Sequence, residues 1–462
     1  MTGSATTEVV QKVSPHKVAV VGAGWAGLSA ALTLHRAGCD VTVFEAARIV
    51  GGRARRVQDP ALGAIDNGQH LMLGAYSDTL ALVRELNPGT DMNALLLRQP
   101  LHVESLDGTL CLRAARLPAP LHTVAGLLTA RGISIGDRLA ALRMMAKLRA
   151  GGWRVPARTR TVAELLESHQ QSRTLCDRLW DPLCLAAMNT PASMASAQIF
   201  LNVLRDSMGA DAPAGDFVLA RTDLSRLWPE AAARQVRVET GKRVHHVVPE
   251  ADQVRIDGTP FDACVLAVPA YAAASLLDSA ADVTGLAAWR QALGSFSYRR
   301  IATVTLRLEG PWTLPRPIML LQCDPASGDH GQWAIDRSAT LLLAPSPAEI
   351  SVVISDASHD LPAGDDTLAA QVAQQLRRQA ARRGSLAPMP ATVAHRVIIE
   401  KRATFDCTQD QVRPPNRTPF QRVWVAGDWT DTGYPAVLEG AVRSGMTAAR
   451  NVLKSAFKSA VD

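Results

Sequence analysis

The sequence predicts an α/β fold, in which a dinucleotide-binding domain of Rossmann type is gathered from separated segments and an interleaved α+β domain is woven between them. Three features predict it. Residues 17–45 follow a strand–turn–helix–strand pattern with Gly22, Gly24 and Gly27 at the turn. The pair Gly51-Gly52 comes next, with Arg53 beside it. Late in the chain, an apolar run over 422–426 leads into Gly427-Asp428.

Lys17 to Val21 reads as a short buried strand, and the Ala/Leu-rich stretch after the turn as a helix to Arg36. Gly38 closes that helix, and Val41 to Phe44 is a second strand ending at Glu45. In such a unit Gly22 permits the tight turn, and Gly24 lets the backbone approach a pyrophosphate with no Cβ in the way. Gly27 lets the helix pack close to the sheet, so that its first N–H groups face the phosphates. Glu45 stands 18 residues after Gly27, where a carboxylate accepts from ribose hydroxyls and disfavours a 2′-phosphate. Gly51-Gly52-Arg53 then selects the cofactor. Two glycines let the chain run along a dinucleotide and an arginine neutralises phosphate, an arrangement for which an NAD enzyme has no use at that place. Arg55 and Arg56 add charge, or simply face solvent.

Residues 79–210 read as mostly helical, punctuated by Pro118, Pro120, Gly132, Gly151-Gly152 and Pro156. Strand character returns over 236–268, including a strand of 243–248, and again at Ile301 to Leu308 and Ile350 to Ile354. A helix follows at about Asp366 to Arg383. The nucleotide-type segments are therefore 17–78, 215–280 and 400–462, and the stretches 79–214 and 281–399 make the second domain. A chain of 462 residues holds about three domains' worth of sequence; the discontinuous layout reduces that to two.

Composition excludes several classes. With 47% hydrophobic and 20% charged residues the chain is globular. A net charge of +6 is too dilute over this length to argue for nucleic acid. No apolar stretch approaches the roughly 18–20 residues of a membrane span. Residues 1–16 carry no apolar core of a signal peptide. Seven scattered cysteines with no C-x-x-C read as reduced thiols of a cytoplasmic protein and give no zinc site, so no metal is expected.

On these residues the chain resembles the FAD-dependent family that holds amine oxidases, protoporphyrinogen oxidase and carotenoid desaturases, whose FAD domain is glutathione-reductase-like. The run Asp66-Asn-Gly68-Gln69-His70-Leu-Met-Leu-Gly74-Ala-Tyr76 resembles the flavin-lining segment of its desaturase-like members, most closely the squalene-associated group, the hydroxysqualene dehydroxylases of hopanoid synthesis. Trp180-Asp-Pro182, Ala187-Met-Asn189-Thr-Pro191 and the run from Trp424 to Gly445 are similar to that group as well. The resemblance covers most of 17–453 and is strongest at both ends. Between Pro229 and Val236 the chain is shorter than the family pattern, which leaves the boundary near 235 open.

The resemblance implies FAD, held non-covalently: no Cys lies in the C-terminal motif, and Cys407 is twenty residues before Gly427. It implies that the cofactor is bound by Gly22, Gly24, Trp25, Ala26, Gly27, Glu45, Gly52, Arg53, Gly68, Gln69, His70, Val244, Gly427, Asp428, Pro435, Ala436 and Val437. Val244 matches the position whose backbone contacts adenine; from its own pattern it is equally a core strand valine. A helix beginning near Pro435 would aim its N-terminal N–H groups at the flavin pyrimidine edge, with Pro435 in its first turn. The activity implied is reductive dehydroxylation of hydroxysqualene to squalene, with reduced FAD giving hydride. A carotenoid-type desaturase running in the opposite redox direction remains open, as does a prenyl-binding escort protein without redox chemistry.

Ionising an allylic alcohol needs a proton donor at oxygen and a dry pocket. Gln69 and His70 are the catalytic candidates, His70 being also readable as a packed or capping residue. Asn189 and Tyr434 are candidates for the substrate pocket; Asn189 and Asp181 read equally as helix caps, and Tyr434 as an aromatic wall. The partners implied are an isoprenoid hydrocarbon and a membrane surface, and the sequence names no electron donor. Over Pro118 to Arg160, apolar residues such as Val124, Leu128 and Leu139 alternate with Arg143, Lys147 and Arg149. No acid follows Asp137, a pattern that suits a monotopic contact on the cytoplasmic membrane face or else a helix pair with a cationic outer side. The last helix, Asn451 to Val461 with Lys454 and Lys458, reads as a frayed surface tail or else as an aid to that membrane contact.

Overall fold

The computed structural model describes residues 16–456 except 157, 279, 281 and 358–360. The N-terminal segment 1–15 and the part of the tail that holds Lys458 lie outside the described residues.

A five-stranded parallel sheet collects the nucleotide-type pieces. Its order is Arg237–Thr240, Asp40–Glu45, Lys17–Val21, Ala263–Leu266 and Val423–Val425. Val18 sits between Val41 and Ala263, and Cys264 pairs with Val423, so segments hundreds of residues apart are in register. Strands buried on both faces need continuous apolar runs, which is how 17–21, 263–266 and 423–425 read. The helix Trp25–Arg36 buries most of its length because it lies between this sheet and the helix Leu438–Ala456. The two helices touch closely: Ser29 Oγ donates to the Val442 carbonyl at 3.0 Å, and a Cβ on Gly445 would stand 2.0 Å from the Ala26 carbonyl oxygen.

The second sheet is antiparallel, ordered Ile318–Leu320, Trp333–Asp336, Glu349–Ile354, Tyr298–Leu308 and Thr392–Phe405. The helix Asp365–Arg383 covers one face, sharing a core of Leu368, Val372 and Leu376 with Val304, Ile350 and Val352. The long strand Thr392–Phe405 runs across residue 400, the expected start of a nucleotide-domain segment, and belongs along its whole length to this antiparallel sheet. Within 79–210 the helical reading covers Leu121–Leu128, Ile135–Ala150, Val162–Ser168, Asp181–Met188 and Ala197–Ser207, with capping boxes at Ser134/Asp137 and Thr161/Glu164.

Two expectations are corrected. The strand of 243–248 is a loop as far as His246, and pairing starts only at Val247–Pro249, so Val244 is a loop residue. The C-terminal helix starts at Leu438, with Ala441 N–H bonded to the Val437 carbonyl. Pro435 therefore lies outside it, because the chain has still to turn out of the strand Val423–Val425. Between Pro229 and Arg237 a short helix, Pro229–Ala233, makes the connection.

Candidate active site

One cavity of about 930 Å³ runs from the glycine turn into the second domain. At the glycine end, Gly22 has φ +106 and a Cβ there would meet the Ala267 carbonyl oxygen at 2.4 Å. Gly27 does not line the cavity; its Cβ would stand 1.9 Å from the Gly22 carbonyl oxygen, so it sets the approach of helix to sheet. Gly24 pairs with Gly51 as an isolated bridge, and Gly51 N–H donates to the Ala23 carbonyl at 2.9 Å. The two glycine turns thus form one backbone-walled trough. No side chain caps the helix at Trp25–Arg36, and Trp25 and Ala26 line the trough, which leaves its N-terminal N–H groups for an anion. Glu45 lines it too, accepting from Ala23 N–H and Ala47 N–H at 2.7 Å each. Val244, although in a loop, is 8% exposed and stands on the same wall. These residues fit a dinucleotide: the trough is one that Cβ atoms would fill, with a free helix end on its floor.

Arg53 was expected to face phosphate. It lines the cavity, and its guanidinium also clasps both oxygens of Asp428 at 2.6 Å and donates to the Ala403 carbonyl at 2.6 Å, tying the first segment to the last. Burial works against the Arg53 charge; the Asp428 carboxylate, with Glu400 behind it, outweighs burial and holds the guanidinium above its ordinary range. Arg55 lines the cavity, whereas Arg56 lies outside it in ion pairs with Asp223 and Glu230. Gly52, Gly68, Gly427, Pro435, Ala436 and Val437 all line the cavity.

Gln69 and His70 stand where the cavity passes into the second domain. The Gln69 N–H reaches Thr303 Oγ1 at 3.4 Å, and its side chain makes no hydrogen bond among the described residues. His70 Nδ1 lies 2.8 Å from the Gly68 carbonyl oxygen. A carbonyl only accepts, so Nδ1 carries the proton. Burial pushes the imidazole below its ordinary value and Arg53 adds to this against the Gly68 bond. A neutral ring protonated at Nδ1 presents Nε2 as an acceptor. In that form His70 presents a hydrogen-bond acceptor to the cavity.

Asn189 is both a cap and a cavity residue. It ends the helix Asp181–Met188 in the left-handed region (φ 49), accepts from Asp356 N–H at 2.7 Å and donates to Thr404 Oγ1 at 2.9 Å. Asp181 stands at the start of that helix as its first residue, not as its cap. Tyr434 donates its hydroxyl to Asp206 at 2.7 Å and accepts from Arg443 at 2.9 Å, while the Arg443 guanidinium covers its ring at 5.0 Å. Burial, then the Asp206 bond, raise the Tyr434 hydroxyl above its ordinary range.

Sequence reasoning missed Asp206, Arg443, Glu439 and Thr303. Glu439 and Arg443 had a signal in their i, i+4 spacing on one helix; Asp206 and Thr303 had none. The far end of the cavity is apolar, walled by Leu101, Leu112, Phe200, Phe217, Ile318 and Trp333. Away from the cavity, His102, Glu104 and Cys111 bring possible ligand atoms within 4.8 Å of one another, but Glu104 is ion-paired with both Arg383 and Arg316, whose charges oppose a cation. No helix among the described residues is long and apolar enough to cross a membrane.

The chain is similar to known proteins over most of its length. The profile of the flavin containing amine oxidoreductases matches residues 25–453. The hydroxysqualene dehydroxylase of Rhodopseudomonas palustris is 31% identical over 94% of this chain and 98% of its own. That of Sinorhizobium fredii is 28% identical over 94% and 98%, and the zeta-carotene desaturase of Arabidopsis thaliana is 23% identical over 94% and 84%. Among solved structures, cyclohexylamine oxidase from Brevibacterium oxydans matches with a TM-score of 0.64 at 16% identity, over 96% of this chain and 99% of that one. Reduced UDP-galactopyranose mutase matches with a TM-score of 0.65 at 15% identity, over 95% and 96%. At those identities the structural likeness is one of fold. The chain is a flavin-dependent oxidoreductase belonging to the flavin containing amine oxidoreductase family, within which it resembles the hydroxysqualene dehydroxylases.

Proposed function

We propose that this enzyme binds FAD non-covalently and converts hydroxysqualene to squalene. The observation that carries the reading is the single cavity, glycine-walled at one end and hydrocarbon-walled at the other, in a chain whose full-length relatives are named for that reaction. Gly22, Gly24, Gly52 and the helix end at Trp25 would hold the pyrophosphate, Glu45 and Val244 the adenosine, and Gly427, Asp428 and Pro435 to Val437 the flavin end. FAD, when bound and reduced, supplies hydride to carbon.

The protein's own contribution is position, dryness and proton control. Phe200, Phe217, Ile318 and Trp333 exclude water from a chain of isoprene units, which protects an allylic cation from capture. Gln69 offers an unengaged amide to the departing hydroxyl oxygen. His70, with its Nδ1 proton on the Gly68 carbonyl, would orient the hydroxyl by accepting its hydrogen at Nε2, and the proton with which that hydroxyl leaves as water would be supplied with the hydride by the fully reduced cofactor, so that alcohol and reduced FAD give squalene, water and oxidised FAD. Tyr434 and Asn189 are held by Asp206, Arg443, Asp356 and Thr404, so both act as fixed walls. The exposed apolar face of the helical region would rest on the cytoplasmic membrane surface.

The test is anaerobic. Purified protein with reduced FAD and hydroxysqualene should give squalene by chromatography. No squalene, with double bonds gained by a carotene precursor under oxidised FAD, would replace this reading by the desaturase that the Arabidopsis relative represents. A colourless protein that still holds hydrocarbon would indicate an escort.

A further inference from the structure

A second cavity of about 500 Å³ lies on the substrate-domain surface, lined by Pro100, Leu101, Ala114, Leu117, Pro118 and Pro213. Leu101 is the residue it shares with the large cavity. It is 8% exposed and stands on the wall of both. The polar part of the small cavity is quenched, since Arg98 is paired with Asp216 at 2.6 Å and bonded to the Pro213 carbonyl at 2.5 Å.

The rim of this cavity continues into an unpartnered apolar face. Leu117 (42% exposed) leads into the helix Leu121–Leu128, whose Leu121 and Leu128 are 54% and 47% exposed one heptad apart on one side. The adjoining helix Ile135–Ala150 adds Ile135 at 71% and Leu139 at 45%, one turn apart. The charges at this tip are satisfied internally: Asp137 bonds Ser134 and Ser172, and Arg138 caps the Leu128 carbonyl at 2.9 Å. Around the face, residues 113–160 carry ten Lys and Arg against one acid, Asp137. Arg143, Lys147 and Arg149 are exposed on the second half of the helix whose first turn holds Ile135. Apolar side chains at the tip with cations set back along the helix match acyl chains beneath anionic headgroups.

We propose that this face docks on an anionic lipid bilayer and that the small cavity is the substrate's doorway. A hydrocarbon leaves the bilayer between Leu117 and Leu121, passes Pro118 and Pro213, and enters the large cavity when Leu101 swings aside, without crossing water. The route rests on the hydrocarbon-substrate reading given above.

The test separates the docking, the route and that reading. Wild-type protein should float with phosphatidylcholine vesicles containing phosphatidylglycerol. The double variant Leu121→Asp/Ile135→Asp, both sites being exposed, should keep its fold and flavin colour but lose vesicle binding by at least about tenfold. Its turnover of hydroxysqualene presented in vesicles should drop about as much, while turnover from detergent micelles stays within roughly twofold. Leu101→Trp should slow both presentations while retaining flavin. A double variant that floats like wild type, or that loses vesicle and micelle turnover equally, would overturn the proposal. If the wild type does not turn over hydroxysqualene at all, the reaction assignment fails. Transfer of labelled squalene from vesicles then decides the route: uptake blocked by Leu101→Trp upholds it, and uptake unaffected by that variant overturns it.

Discussion

The two ends of the large cavity are built by opposite rules. At the glycine end the wall is backbone, and its shape is set by what is missing: a Cβ on Gly22, or on Gly27 packed behind it, would collide with carbonyl oxygens at 2.4 and 1.9 Å. At the far end the wall is side chain, and its shape is set by bulk contributed from unconnected elements, among them Leu101, Phe200, Phe217, Ile318 and Trp333. The first construction tolerates almost no substitution, because a backbone atom cannot rotate away. The second tolerates exchange of one apolar side chain for another of similar volume. A family can therefore keep one cofactor and vary its substrate.

The sharpest test of that contrast is Gly27→Ala, one methyl placed against backbone. It should cost about 1–3 kcal/mol and abolish flavin retention, read by melting temperature and visible absorbance. Ile318→Leu at the apolar end should change melting little and leave the flavin in place; equal damage at both sites would break the distinction.

A second test concerns a buried carboxyl behind the glycine-rich segment. Burial raises Asp66 to about 7, against the Leu224 N–H bond and Arg337 that favour its charge. Its folded value lies above the unfolded one of 3.8, so its ionisation opposes folding increasingly from pH 4 to 7 and fully above. Asp66→Asn keeps the acceptor for Leu224 and should raise stability at pH 8 by on the order of 1 kcal/mol or more, with no gain at acid pH. A gain independent of pH would show that the carboxyl is not the cause.

His70 has the reverse sign. Its folded value lies below the ordinary 6.5, so the neutral form is the one the fold accommodates, and stability is lost as pH falls through about 6.5. His70→Gln should remove part of that acid-side loss in a series of thermal melts, by roughly 1 kcal/mol or less. It should also leave no acidic catalytic limb belonging to His70 in the rate profile.

A similarly small effect is expected at Tyr434, whose hydroxyl is already bound on two sides. Tyr434→Phe should cost about 1 kcal/mol of stability and less than about tenfold in kcat/KM. A loss of a hundredfold or more would make Tyr434 the proton donor and its bond to Asp206 a relay.

The same contrast explains what the sequence made legible. The glycine end is local: a turn, a helix start and a terminal carboxylate within thirty residues, each with a conformational signature. That is why the trough at Gly22 to Gly27, Glu45 and Gly51-Gly52 was readable. Asp428 was readable as a position, but its partner was not. Arg53 is 375 residues away, and nothing in an arginine's neighbours tells whether it will meet phosphate or a carboxylate. Val244 reads as a strand valine because its apolar run cannot reveal that pairing begins three residues later at Val247. The apolar end had no local signature at all, since it exists only once helices and both sheets are assembled.

The seam between Ser29 and Val442 has a consequence for how the molecule comes into being. The helix that covers Trp25–Arg36 is synthesised about 400 residues after it, and the edge strand Val423–Val425 only slightly precedes that covering helix. Until they emerge from the ribosome, the face of the first helix around Ala26 and Ser29 has nothing to rest on. A nascent chain released early would carry that bare apolar face into the cell as a target for chaperones and proteases. The nucleotide trough is finished only long after its first segment has been made.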